Sequence, residues 1–280
     1  MRVPNIKFFL LIIIIFSNLS FGKEFDQLFR VYTPISNSAE IEKSINKSFN
    51  IMIFRLSGSN SPSNIWKIIN AGNTRKDFIK SYSIRNIDGE SYLEVLFNKD
   101  YLIDVFNQLS IPVVGNARPV ILFNINIDSG VKNPYLISTH IHNNDLDFMI
   151  IEFLKNTSIT RGVFLELPEL DLFDFIEIEK YKKIINVEDR LSSQYRHDFL
   201  SEIDIVKIGP NNWAVTGDIE FEYNDEDFEG FFINQFDKYV NKKIDYLLQK
   251  KLIDISSISN LDVTFMNVNS YEDYINLKKI

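Results

Sequence analysis

Residues 120–127 read VILFNINI and residues 162–167 read GVFLEL; between them lies 144–156, NDLDFMIIEFLKN. The two outer runs are short and largely apolar, as buried strands are. In the middle run Leu146, Met149, Ile150, Phe153 and Leu154 recur at helical spacing, so the helix is expected over 144–156. Strand, helix and strand in that order make a βαβ unit, whose crossover is expected to be right-handed and whose strands are expected to be parallel. The chain is therefore α/β around residues 118–170.

Toward the C-terminus the pattern continues. An acidic and aromatic stretch (169–178) leads to a predicted helix around 187–200, and residues 203–208 read as a strand. Gly209-Pro210-Asn211-Asn212 signals a turn, after which 213–223 is expected to pair back as a hairpin. Phe232, Phe236, Val240, Ile244, Leu247 and Leu248 mark a long amphipathic helix. A last strand (261–268) and a short helix from Tyr271 close the reading.

Toward the N-terminus the elements are shorter. Residues 25–33 (FDQLFRVYT) read as a strand ended by Pro34. Asn37 with Glu40 resembles a capping box. Ile41, Ile45, Phe49, Met52 and Leu56 follow at spacings of one helical face, and Gly58 stops the helix. A polar stretch with a short helix around Trp66 precedes two strands joined by Asp88-Gly89, a hairpin signal. Residues 99–109 form another helix, ended by Pro112. This βαββα unit is ferredoxin-like if residues 120–127 join its sheet, and a three-stranded sheet backed by helices if they open the next unit. The expected division is a leader over 1–22, an α+β unit over 23–117 and an α/β unit with a mixed sheet over 118–280.

The leader has its own signature. Arg2 and Lys7 precede nine apolar residues, Phe8 to Phe16, and Ser20-Phe21-Gly22 offers small residues for cleavage before Lys23. Nine residues are too few to span a bilayer, which takes roughly 20. The expected location is the periplasm, with no membrane span left after cleavage.

Composition narrows the classes. Hydrophobic content of 45% with 24% charged residues matches a folded globular chain. The absence of cysteine rules out disulfides, thiolate metal sites and thiol-attached haem. Residues 23–117 carry 11 basic and 10 acidic side chains, a net of +1, whereas 118–280 carry 17 and 28, a net of −11. A polyphosphate partner is repelled by such a second half, and basic-aromatic interleaving for nucleic acid is absent.

Motifs for chemistry are few. No G-x-S-x-G, G-x-G-x-x-G or P-loop occurs among the ten glycines. His140 and His142, two apart and followed by Asp145 and Asp147, have the spacing of a metal-dependent hydrolase, with His197 the third and last histidine. Glu166, Glu169, Asp171 and Asp174 crowd the end of a parallel strand, a place for acid–base work or for capping. Asn224-Asp225-Glu226-Asp227 with Glu229 lacks the frame of a calcium loop and is expected to be a hairpin tip. Arg118 is expected to be buried at the junction of the two units, paired with a carboxylate. The reading commits to no catalytic, cofactor or metal residue, and favours a non-catalytic protein; the alternative is a metal-dependent hydrolase using His140 and His142.

Four segments carry a resemblance. Phe29-Arg30-Val31-Tyr32-Thr33-Pro34, Phe54-Arg55-Leu56-Ser57-Gly58, Tyr92-Leu93-Glu94-Val95-Leu96-Phe97 and above all residues 109–119 (LSIPVVGNARP) resemble the exported gammaproteobacterial family known as domain of unknown function 2066. Its signature reads LPxWGxxRP, with Val114 here in the place of Trp. The resemblance implies export and an envelope location, and supplies no activity; the partner expected for a binding module is an envelope protein, met at exposed sheet edges and helix grooves. The resemblance also implies a further αβ piece after the segment matching residues 268–274.

Overall fold

The computed structural model describes residues 23–87, 89–131, 133–139, 144–169, 194–224 and 226–254. The leader (1–22), the pair His140 and His142, Asp171, Asp174, Asp225, residues 187–193 of the predicted helix 187–200, and the strand and helix predicted after residue 260 lie outside the described residues.

Four sheets, of six, three, two and two strands, and five α-helices are present among the described residues, with two hydrophobic cores, and the fold is α/β with a mixed sheet. The first core belongs to the N-terminal segment. After a two-residue strand β1 (Lys23–Glu24) the chain turns, and β2 (Arg30–Pro34) begins. The single strand expected over 25–33 is thus interrupted. The reason is Arg55, whose Nη1 draws in the carbonyls of Gln27, Leu28 and Arg30 at 3.4, 3.2 and 2.7 Å.

Helix α1 (Ile41–Ser57) buries Ile45, Phe49, Met52 and Leu56 as its spacing predicts. It is entered through a 3₁₀ turn over Ser38–Glu40. Asn37 Oδ1 accepts from the Ala39 amide, and Glu40 reaches back to the Ser36 amide, each at 3.0 Å, a one-residue variant of the expected box. Gly58 ends the helix at φ +65°, and a Cβ there would lie 2.8 Å from Val114 Cγ2. Helix α2 (Ser63–Asn70) follows, then strands β3 (Ile79–Ile87) and β4 (Glu90–Phe97), then α3 (Lys99–Gln108). The sheet order is β2-β4-β3, all antiparallel.

Short strands β5 (Val113–Val114) and β6 (Ala117–Arg118) lead to β7 (Val120–Asp128), which opens the larger sheet instead of joining the first. The N-terminal unit is therefore the three-stranded alternative. Val113 belongs to the first core and its neighbour Val114 to the second.

The larger sheet centres on β7. Strand β8 (Tyr135–Leu136) pairs antiparallel with it, and β9 (Phe164–Glu166), reached through α4 (Asp145–Arg161), pairs parallel. The helix runs five residues past its predicted end at Asn156, to a left-handed stop at Gly162. On the other side β10 (Phe199–Lys207) runs parallel to β7. Phe199 and Leu200 are strand rather than the end of the predicted helix. The Val120 amide binds the Asp198 carboxylate at 2.8 Å, and the Asp198 amide binds the Val120 carbonyl at 2.9 Å, zipping β10 onto β7.

The expected hairpin 213–223 is two strands, β11 (Asn212–Gly217) and β12 (Phe221–Asn224). Gly217 separates them at φ +103°, where a Cβ would lie 2.3 Å from the Glu202 carbonyl oxygen. Helix α5 (Phe228–Gln249) then buries Phe228, Phe232, Phe236, Val240, Ile244, Leu247 and Leu248. Each fully buried Phe contributes about 2–3 kcal/mol. Trp213 stacks on Phe228 with centroids 4.5 Å apart, and Tyr223 on Phe231 at 4.1 Å, so aromatic pairs hold the hairpin to the helix. Strand β13 (Leu252–Ile253) returns to pair with β5, and β1 pairs with β6.

Candidate functional site

The two edges of the N-terminal sheet differ. Strand β2 is five residues long, ends in Pro34 and yields its first carbonyl to Arg55. Strand β3 is nine residues long without proline, and no strand pairs with its outer edge among the described residues. Every residue from Lys80 to Ile87 is exposed. Natural sheets blunt such edges with proline, charge, bulges or a covering element. Here the devices are a bulge at Lys80 and the charges of Lys80 and Arg85, which leave Ser81–Ile84 regular and uncharged.

Helix α1 packs over β2 and β4 and leaves Lys80–Ile87 of β3 exposed. Tyr82 and Ile84 stand opposite Val95 and Leu93, on the helix side of the sheet, yet are 56% and 54% exposed. Beside them a groove of about 650 Å³ runs between β3 and the start of α1, with Ile41, Ile45, Ile79 and Tyr82 in its walls. Lys76 and Glu42 bridge its rim at 3.3 Å.

On the opposite face Glu94 anchors the strands. It receives Arg85 Nε at 2.8 Å, Tyr32 and Ser83 hydroxyls at 3.0 Å each, and lies 3.2 Å from Arg30 Nη1. The Arg85 hydrogen bond above all holds its carboxyl below the usual range. A carboxylate so saturated is a structural anchor rather than a base.

The sequence-picked residues scatter. Asp145 is exposed in the first turn of α4. Asp147 is fully buried and accepts from the Tyr135 hydroxyl at 2.9 Å, while its amide binds the Asn144 side chain at 2.9 Å. Burial first, then that carboxylate, pushes the Tyr135 phenol up. His197 binds the Tyr195 carbonyl through Nδ1 at 2.8 Å. Glu166 is ion-paired with Lys23, and the Glu169 backbone meets the Tyr195 hydroxyl. Asn224 ends β12, Asp227 caps α5 by accepting from the Gly230 amide, and Glu229 lies in the first turn of that helix, so these residues stand between strand and helix and not at a hairpin tip. Among the described residues, no three imidazole or carboxylate groups converge as metal ligands.

Arg118 is fully buried at the junction, as expected, but without the expected carboxylate. Its Nη1 donates to the Arg55 carbonyl at 2.7 Å and its Nη2 to the Val114 carbonyl at 3.1 Å. Arg55 and Arg161 are buried beside it. Arg55 Nε donates to the Ile159 carbonyl at 3.0 Å, and Arg161 binds Asn241 at 2.8 Å and Asp245. Burial pushes Arg118 down to about 9, with Arg55 and Arg161 adding repulsion, and burial alone pushes Arg55 down to about 10. A signal for Arg55 was present: it falls within the apolar stripe of α1, between Met52 and Leu56.

Among the described residues, no helix is long and apolar enough to cross a membrane. Compared with protein families, curated proteins and solved structures, the chain matches none.

Proposed function

We propose that the chain is an exported, non-catalytic binding or assembly module of the cell envelope, which takes up an extended protein segment along the free edge of β3. The observation that carries this reading is the long, proline-free and exposed edge beside a groove that combines isoleucine walls with a charged rim. Strand addition uses such a pair of features: the edge offers backbone hydrogen bonds and the groove receives alternate side chains. The resemblance of residues 29–34, 54–58, 92–97 and 109–119 to domain of unknown function 2066, and the leader signature, support the envelope as its location. The metal-hydrolase alternative gains no observation from the described residues, since His140 and His142 lie outside them.

The test is photocrosslinking in living cells, with a photoreactive residue in place of Tyr82 or of Tyr246, which is equally exposed on α5. A discrete adduct from position 82 and none from position 246 is expected. Adducts from both positions, or from neither, would overturn the reading.

A further inference from the structure

We propose that the segment added to β3 is β3 of a second copy of this chain, antiparallel, with Ser83 of each copy on the two-fold axis. This rests on the strand-addition reading and names its partner. The register follows from side-chain pairing. With Ser83 opposite Ser83 of the second copy, Tyr82 faces Ile84 of that copy and Ile84 faces its Tyr82. On the helix side of the sheet, the two most exposed apolar residues of the edge then cover one another. Aromatic and β-branched residues make favourable cross-strand pairs.

Charge agrees with this register. Arg85 faces Ser81 of the second copy, and Lys80 faces its Asn86, so no like charges meet. Shifting the strands two residues, to put Ile84 on the axis, sets Tyr82 against Asn86 and leaves one apolar pair, Ile84 on Ile84, in place of two. The wider field agrees as well: the half that carries β3 has a net charge of +1, so two such halves approach without strong repulsion, whereas the −11 halves repel. In the paired state the three-stranded sheets become one six-stranded sheet with both helical layers on one side. Ile84 of the second copy then comes to the mouth of the groove walled by Ile41, Ile45 and Ile79.

The test uses the purified chain, which has no cysteine of its own. Sedimentation equilibrium should show a monomer–dimer equilibrium, and Ser83→Cys should oxidise to a covalent dimer because opposed Cα atoms lie about 4.5–5.5 Å apart. Asn86→Cys, about 20 Å from its mate in this register, should remain uncrosslinked. Ile84→Lys should sediment as a monomer with an unchanged circular dichroism spectrum. A monomer at all concentrations, or Asn86→Cys crosslinking as readily as Ser83→Cys, would overturn self-pairing. If the chain is monomeric while position 82 still captures a different protein in cells, strand addition stands and only the identity of the strand fails. A dimer that survives Ile84→Lys would contradict self-pairing through β3.

Discussion

The guanidinium of Arg118 donates to the backbone carbonyl of Arg55 at 2.7 Å, while the side chain of Arg55 donates onward to the carbonyl of Ile159. Arg55 lies in the last turn of α1 and Ile159 in the last turn of α4. Helix ends present carbonyls without intrahelical donors and carry partial negative charge. Each arginine therefore satisfies a helix end, and the pair ties the N-terminal unit to the α4 of the larger one. At Arg118 the cation meets carbonyls where a carboxylate was expected.

Removing that donor has a cost. Arg118→Met leaves the Arg55 and Val114 carbonyls buried without their partner, at about 1–3 kcal/mol each, partly offset by loss of a buried charge. A net destabilisation of about 2–4 kcal/mol is expected in urea denaturation. A variant as stable as the parent would show that the clasp contributes nothing.

Glu94 gives a dependence on pH. Its carboxyl is held below the unfolded value, so its stabilisation is present above about pH 4.5 and is lost as pH falls through the lowered folded value. Glu94→Gln should be less stable than the parent at pH 6, with the gap closing toward pH 3. Denaturation curves at both pH values check this, and a constant gap would contradict it.

Gly58 is constrained twice, by its left-handed φ and by Val114 and Leu248 packed against it. Gly58→Ala should cost about 2–4 kcal/mol, with strain near 1 and the remainder from displaced side chains. Thermal unfolding reads the difference, and a loss under about 1 kcal/mol would mean that the neighbours yield freely.

Ser110 is the reverse case. It ends α3 at φ +48°, with the Ile111 amide on the Phe106 carbonyl at 2.8 Å, a position usually occupied by glycine. Ser110→Gly should stabilise the chain by about 0.5–1 kcal/mol. A destabilised variant would mean that the serine makes up for its backbone strain.

Much of the fold could be read from residue order. The apolar spacings of α1, α4 and α5, the Asp88-Gly89 hairpin and the β7-α4-β9 unit follow from local periodicity and turn chemistry. The failures share a cause: they depend on groups distant in sequence. The break in the 25–33 strand comes from Arg55, and the start of β10 at Phe199 from pairing with β7, 78 residues away. The β3 edge was invisible because its residues alternate like any half-buried strand. Only the packing of α1 over β2 and β4 shows that nothing among the described residues covers it.

Amide hydrogen exchange along β3 tests the association edge most directly. At high protein concentration the amides of residues 81–87 should exchange slowly, and after about hundredfold dilution the outward-facing ones should become fast while those of β2 stay unchanged. Exchange in β3 that is the same at both concentrations would contradict an edge built to take up a second copy's strand.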